Sequence, residues 1–216
     1  MPMAGLKALA AAAAAAALLQ FGAASAEEML AADALVKNVT LEIVEIIKAD
    51  KDIQSGDRKK VVALIETRVL PHFNFHAMTA TAVGTNWAKA TPEQKARLTE
   101  EFRTLVVRTY ASSIAAYRNQ KFDFRPLRAR PTDTDVTVQV RVLQSGAEPV
   151  KIEYDMEKTA RGWKVWDVRV ADISLTATYR TEFAIVVRES GIDGLIKTLR
   201  SKNGSAADPA PVAGRG

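Results

Sequence analysis

Val69-Leu70-Pro71-His72-Phe73-Asn74-Phe75, Gly84-Thr85-Asn86-Trp87 and Thr91-Pro92-Glu93-Gln94 punctuate the stretch from Val69 to Tyr117. Its last part predicts a long helix with a well-defined start. Thr91 has the side-chain oxygen of an N-cap, Pro92 occupies the first helical position, and Gln94 stands three after the cap, placed to reach back. Downstream, Leu98, Phe102, Leu105, Val106, Tyr110, Ile114 and Tyr117 keep one face apolar in a segment that, counted from Pro92, makes about seven turns at 3.6 residues per turn. The stretch carries large apolar side chains and helix-start chemistry but no assembled catalytic group. It therefore points to binding rather than to bond making.

Upstream, Val36, Val39, Ile43, Ile46 and Ile47 repeat at helical spacing between Asp33 and Lys48. Ser55-Gly56-Asp57 breaks that pattern, and Val61, Val62, Ile65 and Val69 rebuild it until Pro71. Downstream the period changes to two. Phe122 and Phe124, then Val136, Val138, Val140 and Val142, then Val150, Ile152, Tyr154 and Met156 alternate with polar residues, and Trp163 to Val170 forms a fourth, more apolar strand. Connections as short as 131–135, 145–149 and 159–162 suit hairpins and not parallel crossovers. Leu175, Tyr179, Phe183, Val186 and Val187 then restore the helical period, and Ile192, Leu195, Ile196 and Leu199 predict a last short helix beyond Gly191. The expected class is α+β: several helices packed on one antiparallel, twisted sheet of about four strands.

Residues 1–26 read as a cleaved export signal, with Lys7, an apolar run from Ala8 to Leu19, and Ala24-Ser25-Ala26 before Glu27-Glu28. That apolar run is short against the roughly 20 residues needed to span a bilayer. Residues 27–202 read as one domain and 203–216, with Asn203-Gly204-Ser205 and Asp208-Pro209, as a disordered tail. The 30 Lys and Arg, of which Lys7 lies in the leader, only slightly outnumber the 25 Asp and Glu. So mild an excess provides no concentrated basic face for nucleic acid. With no cysteine, disulfides, thiolate nucleophiles and thiolate metal sites are excluded.

The candidate chemical groups each have a plain alternative. His72 and His76 stand four apart, the spacing that puts two imidazoles on one helix face, but Pro71 disturbs the helix and no other histidine exists. No metal is expected, since a zinc site normally takes three or four protein ligands. Ser112, Ser113 and Ser174 lie in no nucleophile elbow, and Ser174 reads as an N-cap. Asp167, beside Trp166 in the most apolar strand, reads either as an acid/base or as a carboxylate turned toward solvent or an arginine. Arg125, Arg128, Arg130 and Arg141 read either as a phosphate-meeting ring or as a solvated edge. The faces built from Phe102, Val106, Tyr110 and Tyr117, and from Val138, Val140, Ile152, Tyr154 and Trp166, fit a core or a ligand wall.

Taken together, the Val69–Phe75 block with Met78, the Gly84–Trp87, Thr91–Gln94 and Glu101–Ala111 segments, and Trp163 to Val170 continuing through Ser174-Leu175, Tyr179-Arg180, Phe183, Gly191 and Leu195-Ile196 resemble the MlaC family, also called toluene-tolerance proteins. The resemblance runs over roughly Asp33 to Lys202. Asn74 departs from it where Asp is common, and Thr85-Asn86 departs where a basic residue and an aromatic usually precede the tryptophan. It implies a non-enzymatic, monomeric periplasmic carrier without cofactor, with phospholipid as cargo. It also implies exchange between an outer-membrane lipoprotein complex and an inner-membrane ABC transporter complex, in support of outer-membrane lipid asymmetry. The expected wall of an apolar cavity between helices and sheet is then Phe102, Val106, Tyr110, Val138, Val140, Ile152, Tyr154, Trp166, Tyr179 and Phe183. An exported adaptor or chaperone that binds protein segments is the alternative.

Overall fold

The computed structural model describes residues 31–130 and 132–205. The leader expected at 1–26 and residues 206–216 of the expected tail lie outside them.

The apolar repeat after Asp33 forms α1 (Ala32–Ala49), which buries Val36, Val44 and Ile47. Asp50 then caps α2 (Lys51–Ser55), its Oδ1 accepting from Asp52 N at 2.8 Å and Ile53 N at 3.2 Å. Asp57 caps α3 (Arg58–Leu64) in the same way. The helix expected to run on to Val69 instead loosens into a π turn, Ile65–Val69, and tightens into a 3-10 turn, Leu70–His72. Pro71 has no N–H to continue the α pattern. Asn74 opens α4 (Phe75–Val83).

After a 3-10 segment, Gly84–Lys89, the reciprocal cap forms as expected. Gln94 N donates to Thr91 Oγ1 at 3.2 Å and Thr91 N donates to Gln94 Oε1 at 3.1 Å, at the head of α5 (Pro92–Ala115). The last helix, α6 (Leu175–Gly204), starts at Ser174, whose Oγ accepts from Ala177 N. At Gly191 its backbone turns to φ 70° and ψ −176°, a conformation that glycine alone reaches cheaply. The two helices expected on either side of Gly191 are thus both present, joined within α6 across a kink of non-helical backbone. Its end reaches Gly204, two residues into the stretch expected as tail, because Asn203 Nδ2 donates to Glu101 O at 2.9 Å and Glu101 Oε2 at 2.8 Å.

The sheet is an antiparallel meander in the order β1 (Lys121–Phe124), β2 (Asp135–Leu143), β3 (Val150–Thr159), β4 (Gly162–Val170) and β5 (Ile173–Ser174). Only the two-residue β5 exceeds the expected strand count. It follows a tight turn in which Ala171 and Asp172 both take positive φ, 48° and 68°, as a two-residue hairpin with the right-handed strand twist requires.

Three apolar clusters hold the domain together. One joins α4, α5 and α6 around Phe102, Met78, Phe183 and Leu195. A second joins α1, α2, α3 and α5 around Ile47, Val61 and Val107. The third sets Ala32 and Val36 of α1 against Val138, Val140, Met156, Trp163 and Val165 of the sheet. Leu70 packs on the first two clusters, and Phe73 on the first and third. The segment around Pro71 is therefore where helical and sheet cores meet.

Candidate functional site

The β2–β3 register pairs Val136 with Met156, Val138 with Tyr154, Val140 with Ile152 and Val142 with Val150. Because side chains alternate along a strand, these pairs share one face, with Phe122 and Phe124 beside them. The opposite face is polar and bonded within itself at several points. Gln139 Nε2 donates to Glu153 Oε1 at 2.8 Å, Thr137 Oγ1 donates to Asp155 Oδ1 at 2.6 Å, and Arg169 Nη2 reaches the same Asp155 oxygen at 2.9 Å.

Helix α1 covers only part of the apolar face. Val138 and Val140 are buried beneath Ala32, Leu35 and Val36. Val142, Val150 and Ile152, further toward the end where β2 finishes and β3 begins, are only half-buried and belong to none of the three clusters. Burial pushes the Tyr154 phenol up to about 12, although its surface is only partly covered. The ring packs against the third cluster at the edge of its cover.

The helical half of the expected wall is closely packed. The Phe102 ring meets Tyr179 edge-on at 5.1 Å and Phe183 at 5.5 Å between centroids. Val106 is buried and Tyr110 packs against the same cluster. Burial raises the Tyr110 phenol, and burial followed by the neighbouring Tyr110 pushes Tyr179 up to about 12, partly offset by its interaction with Thr109.

Of the ten expected wall residues, five (Phe102, Val106, Tyr110, Tyr179 and Phe183) thus lie in the helical cluster, and Val138, Val140 and Tyr154 lie in the sheet cluster. Ile152 and Trp166 lie in neither. Trp166 is displaced by a β-bulge: Asp155 pairs with Asp167 and Met156 with Val165, leaving Trp166 as the extra residue. The alternation expected straight through β4 therefore breaks there. Phe73, Leu35 and Leu127 reach the sheet face without having been expected to. Phe73 carried a usable signal, an aromatic next to a helix-breaking proline, but local spacing does not name its distant partners. Two surface recesses, of about 460 Å³ beside Asn86, Lys89 and Gly191 and about 370 Å³ beside Asn74, Arg161 and Lys164, include none of the ten residues.

The polar candidates take structural places. His72 lies in the 3-10 turn and His76 in α4, so they share no helix face. Burial and the nearby Lys164 hold the His72 imidazole below its usual range, and His76 meets Trp87 edge-on at 5.1 Å. Among the described residues, no three His, Asp or Glu side chains are grouped to hold a metal. Arg125 and Arg130 pair with Asp123 and Asp133 on the surface, and Arg128 and Arg141 are exposed. Asn74 Oδ1 accepts from Ala77 N at 3.1 Å while its Nδ2 donates to Glu157. A carboxylate at this position could cap the helix too, but it would face Glu157 with like charge.

Asp167 turns toward neither solvent nor an arginine. At 5% exposure it accepts from Val168 N at 2.9 Å, from Thr176 N at 3.1 Å and from Ser174 Oγ. It ties the sheet to the start of α6. Asp167→Asn replaces one acceptor oxygen with a donor and should cost about 2 kcal/mol, read as a lower urea midpoint; an unchanged midpoint would contradict this anchoring role.

The model of the MlaC protein family matches residues 37–201. The Haemophilus influenzae intermembrane phospholipid transport system binding protein MlaC is 21% identical over 178 residues, covering 81% of this chain and 82% of its own. The Pseudomonas putida toluene tolerance protein ttg2D is 24% identical over 180 residues, 83% of each chain. The solved structure of a phospholipid-binding protein from Ralstonia solanacearum, in complex with a phospholipid, superposes with a TM-score of 0.75 at 37% identity. That match covers 81% of this chain and 97% of the other.

Proposed function

We propose that this chain, which belongs to the MlaC protein family, binds phospholipid and carries it through water between two membranes. One observation carries the reading. The apolar sheet face outruns its helical cover at Val142, Val150 and Ile152, in a chain that shares its fold with a protein solved in complex with a phospholipid. Energetics demand such a shelter. At about 0.8 kcal/mol per CH₂, two acyl chains of some thirty such groups would lose on the order of 20 kcal/mol if left wet.

In this reading the chains lie between the sheet face (Val138, Val140, Ile152, Tyr154 and Trp166) and the helical face (Phe102, Val106, Tyr110, Tyr179 and Phe183), and the headgroup stays near water. Insertion would part the sheet from the helical cores near Leu70 and Phe73, where the clusters join. The carrier works in the periplasm, as a monomer without cofactor, and makes or breaks no bond. It receives and delivers lipid at an outer-membrane lipoprotein complex and an inner-membrane ABC transporter complex, in support of outer-membrane lipid asymmetry. The names of the two curated relatives, a phospholipid transport binding protein and a toluene tolerance protein, support this membrane setting.

The test is uptake. Delipidated protein incubated with vesicles carrying a labelled phospholipid should elute with label at close to stoichiometric occupancy. Elution free of label, from protein that circular dichroism shows to be folded, would overturn the carrier reading.

A further inference from the structure

The register gathers one end of the sheet. Leu143 pairs with Lys121, Val142 with Val150, Ile152 with Val170 and Val170 with Ile173, so the end of β2, the start of β3, the end of β4 and the start of β5 lie side by side. Five large hydrophobic residues are exposed among the described residues, and three of them, Leu143, Val170 and Ile173, stand at this end. Val170, opposite Ile152, and Ile173, opposite Val170, continue the apolar face beyond the half-buried Ile152, so the face emerges at the surface here instead of stopping inside, while Leu143, opposite Lys121, stands on the other face of the same end. Exposed cations outnumber unpaired acids around it: Arg118, Lys121 and Arg141 are exposed beside the one exposed Glu148 of the β2–β3 turn, while Asp172 is tied to Lys151.

We propose that this end of the sheet is a docking tip that rests on an anionic bilayer surface, with Val170 and Ile173 dipping among the headgroups and Lys121 and Arg141 facing them. The proposal rests on the phospholipid-carrier reading and adds where the carrier touches a membrane. Two features select a bilayer over a protein partner. A stable protein interface takes about 800 Å² from each side, and three exposed apolar side chains at a strand end fall short of a hydrophobic core for it. A bilayer surface asks for less: shallow apolar insertion helped by cations, each attracted to an anionic leaflet near its surface. The tip is also held in shape. Ala171 N donates to Lys151 O at 2.9 Å, and Ala171 and Asp172 hold the positive φ values that fold β5 back on β4. A preformed tip loses little entropy on docking.

The test is vesicle flotation, with lipid loading measured separately from detergent micelles. The full chain should float with vesicles of equal parts phosphatidylcholine and phosphatidylglycerol, float poorly with phosphatidylcholine alone, and detach as salt is raised. The Val170→Glu/Ile173→Glu double variant should bind the anionic vesicles at least about 25-fold more weakly, as should Lys121→Glu/Arg141→Glu, given roughly fivefold per charge near such a surface and a change of two or more charges in each. Both variants should load from micelles like the parent, and Leu41→Glu, exposed on α1, should float like the parent. Absence of flotation by the parent, flotation that appears only with a second protein or a second copy of the chain, or binding by both double variants as tight as the parent's would overturn the docking proposal. Failure of the parent to load from micelles would instead overturn the carrier reading.

Discussion

Phe102→Ala is expected to cost about 4 kcal/mol of folding stability and to lower the melting temperature by about 10 °C in a domain of this size. Phe102 is fully buried in α5, edge-on to both Tyr179 and Phe183 of α6. Truncation removes a large apolar surface from three helices at once. The neighbours cannot close the gap cheaply: α6 is fixed at its start by Asp167 and at its end by Asn203 on Glu101. Urea denaturation measures the cost. A loss below about 1.5 kcal/mol, the scale of removing one or two methylenes, would mean that this site is loosely packed and that the helical cluster is not the domain's main anchor.

Ile152→Trp should abolish phospholipid uptake while leaving the fold intact. The position is half-buried, faces the apolar side of β3 and lies outside every packed cluster, so an indole there can be housed without displacing core side chains. It would fill the space that acyl chains need. Val140→Trp makes a poorer test. Val140 is 1% exposed beneath α1, and overpacking there costs about 1–3 kcal/mol on its own, which would confuse loss of uptake with loss of fold. Uptake of labelled lipid by Ile152→Trp, beside its melting curve, decides the point. Parental uptake by a folded variant would remove Ile152 from the wall.

Local chemistry made much of the fold legible. The Thr91–Gln94 cap, the apolar repeat of α1 and the alternation of β1, β2 and β3 are all written within a few residues of where they act, and they form as read. What was not legible depends on distant partners or on register. The bulge at Trp166 adds a residue without changing composition, so period two runs past it unmarked. Asp167 is an isolated carboxylate in the sequence and becomes an anchor only because α6 starts beside it. The loosening at Ile65–Val69 comes just before Leu70 and Phe73, which share the first cluster and also reach the second and the third respectively, partners that local spacing does not name. The same limit applies to the candidate site. Periodicity marked which faces are apolar, but only the packing divides residues under firm cover, such as Val140, from those with uncovered surface, such as Tyr154 and Ile152.

Native mass spectrometry of the protein purified from a membrane-containing host tests the carrier account most directly. The predicted spectrum contains the intact chain with a mass increment of one phospholipid, released on collisional activation as an ion with phospholipid fragments. A spectrum of the bare chain alone, under conditions that preserve lipid on a known carrier and after exposure to vesicles, would contradict it.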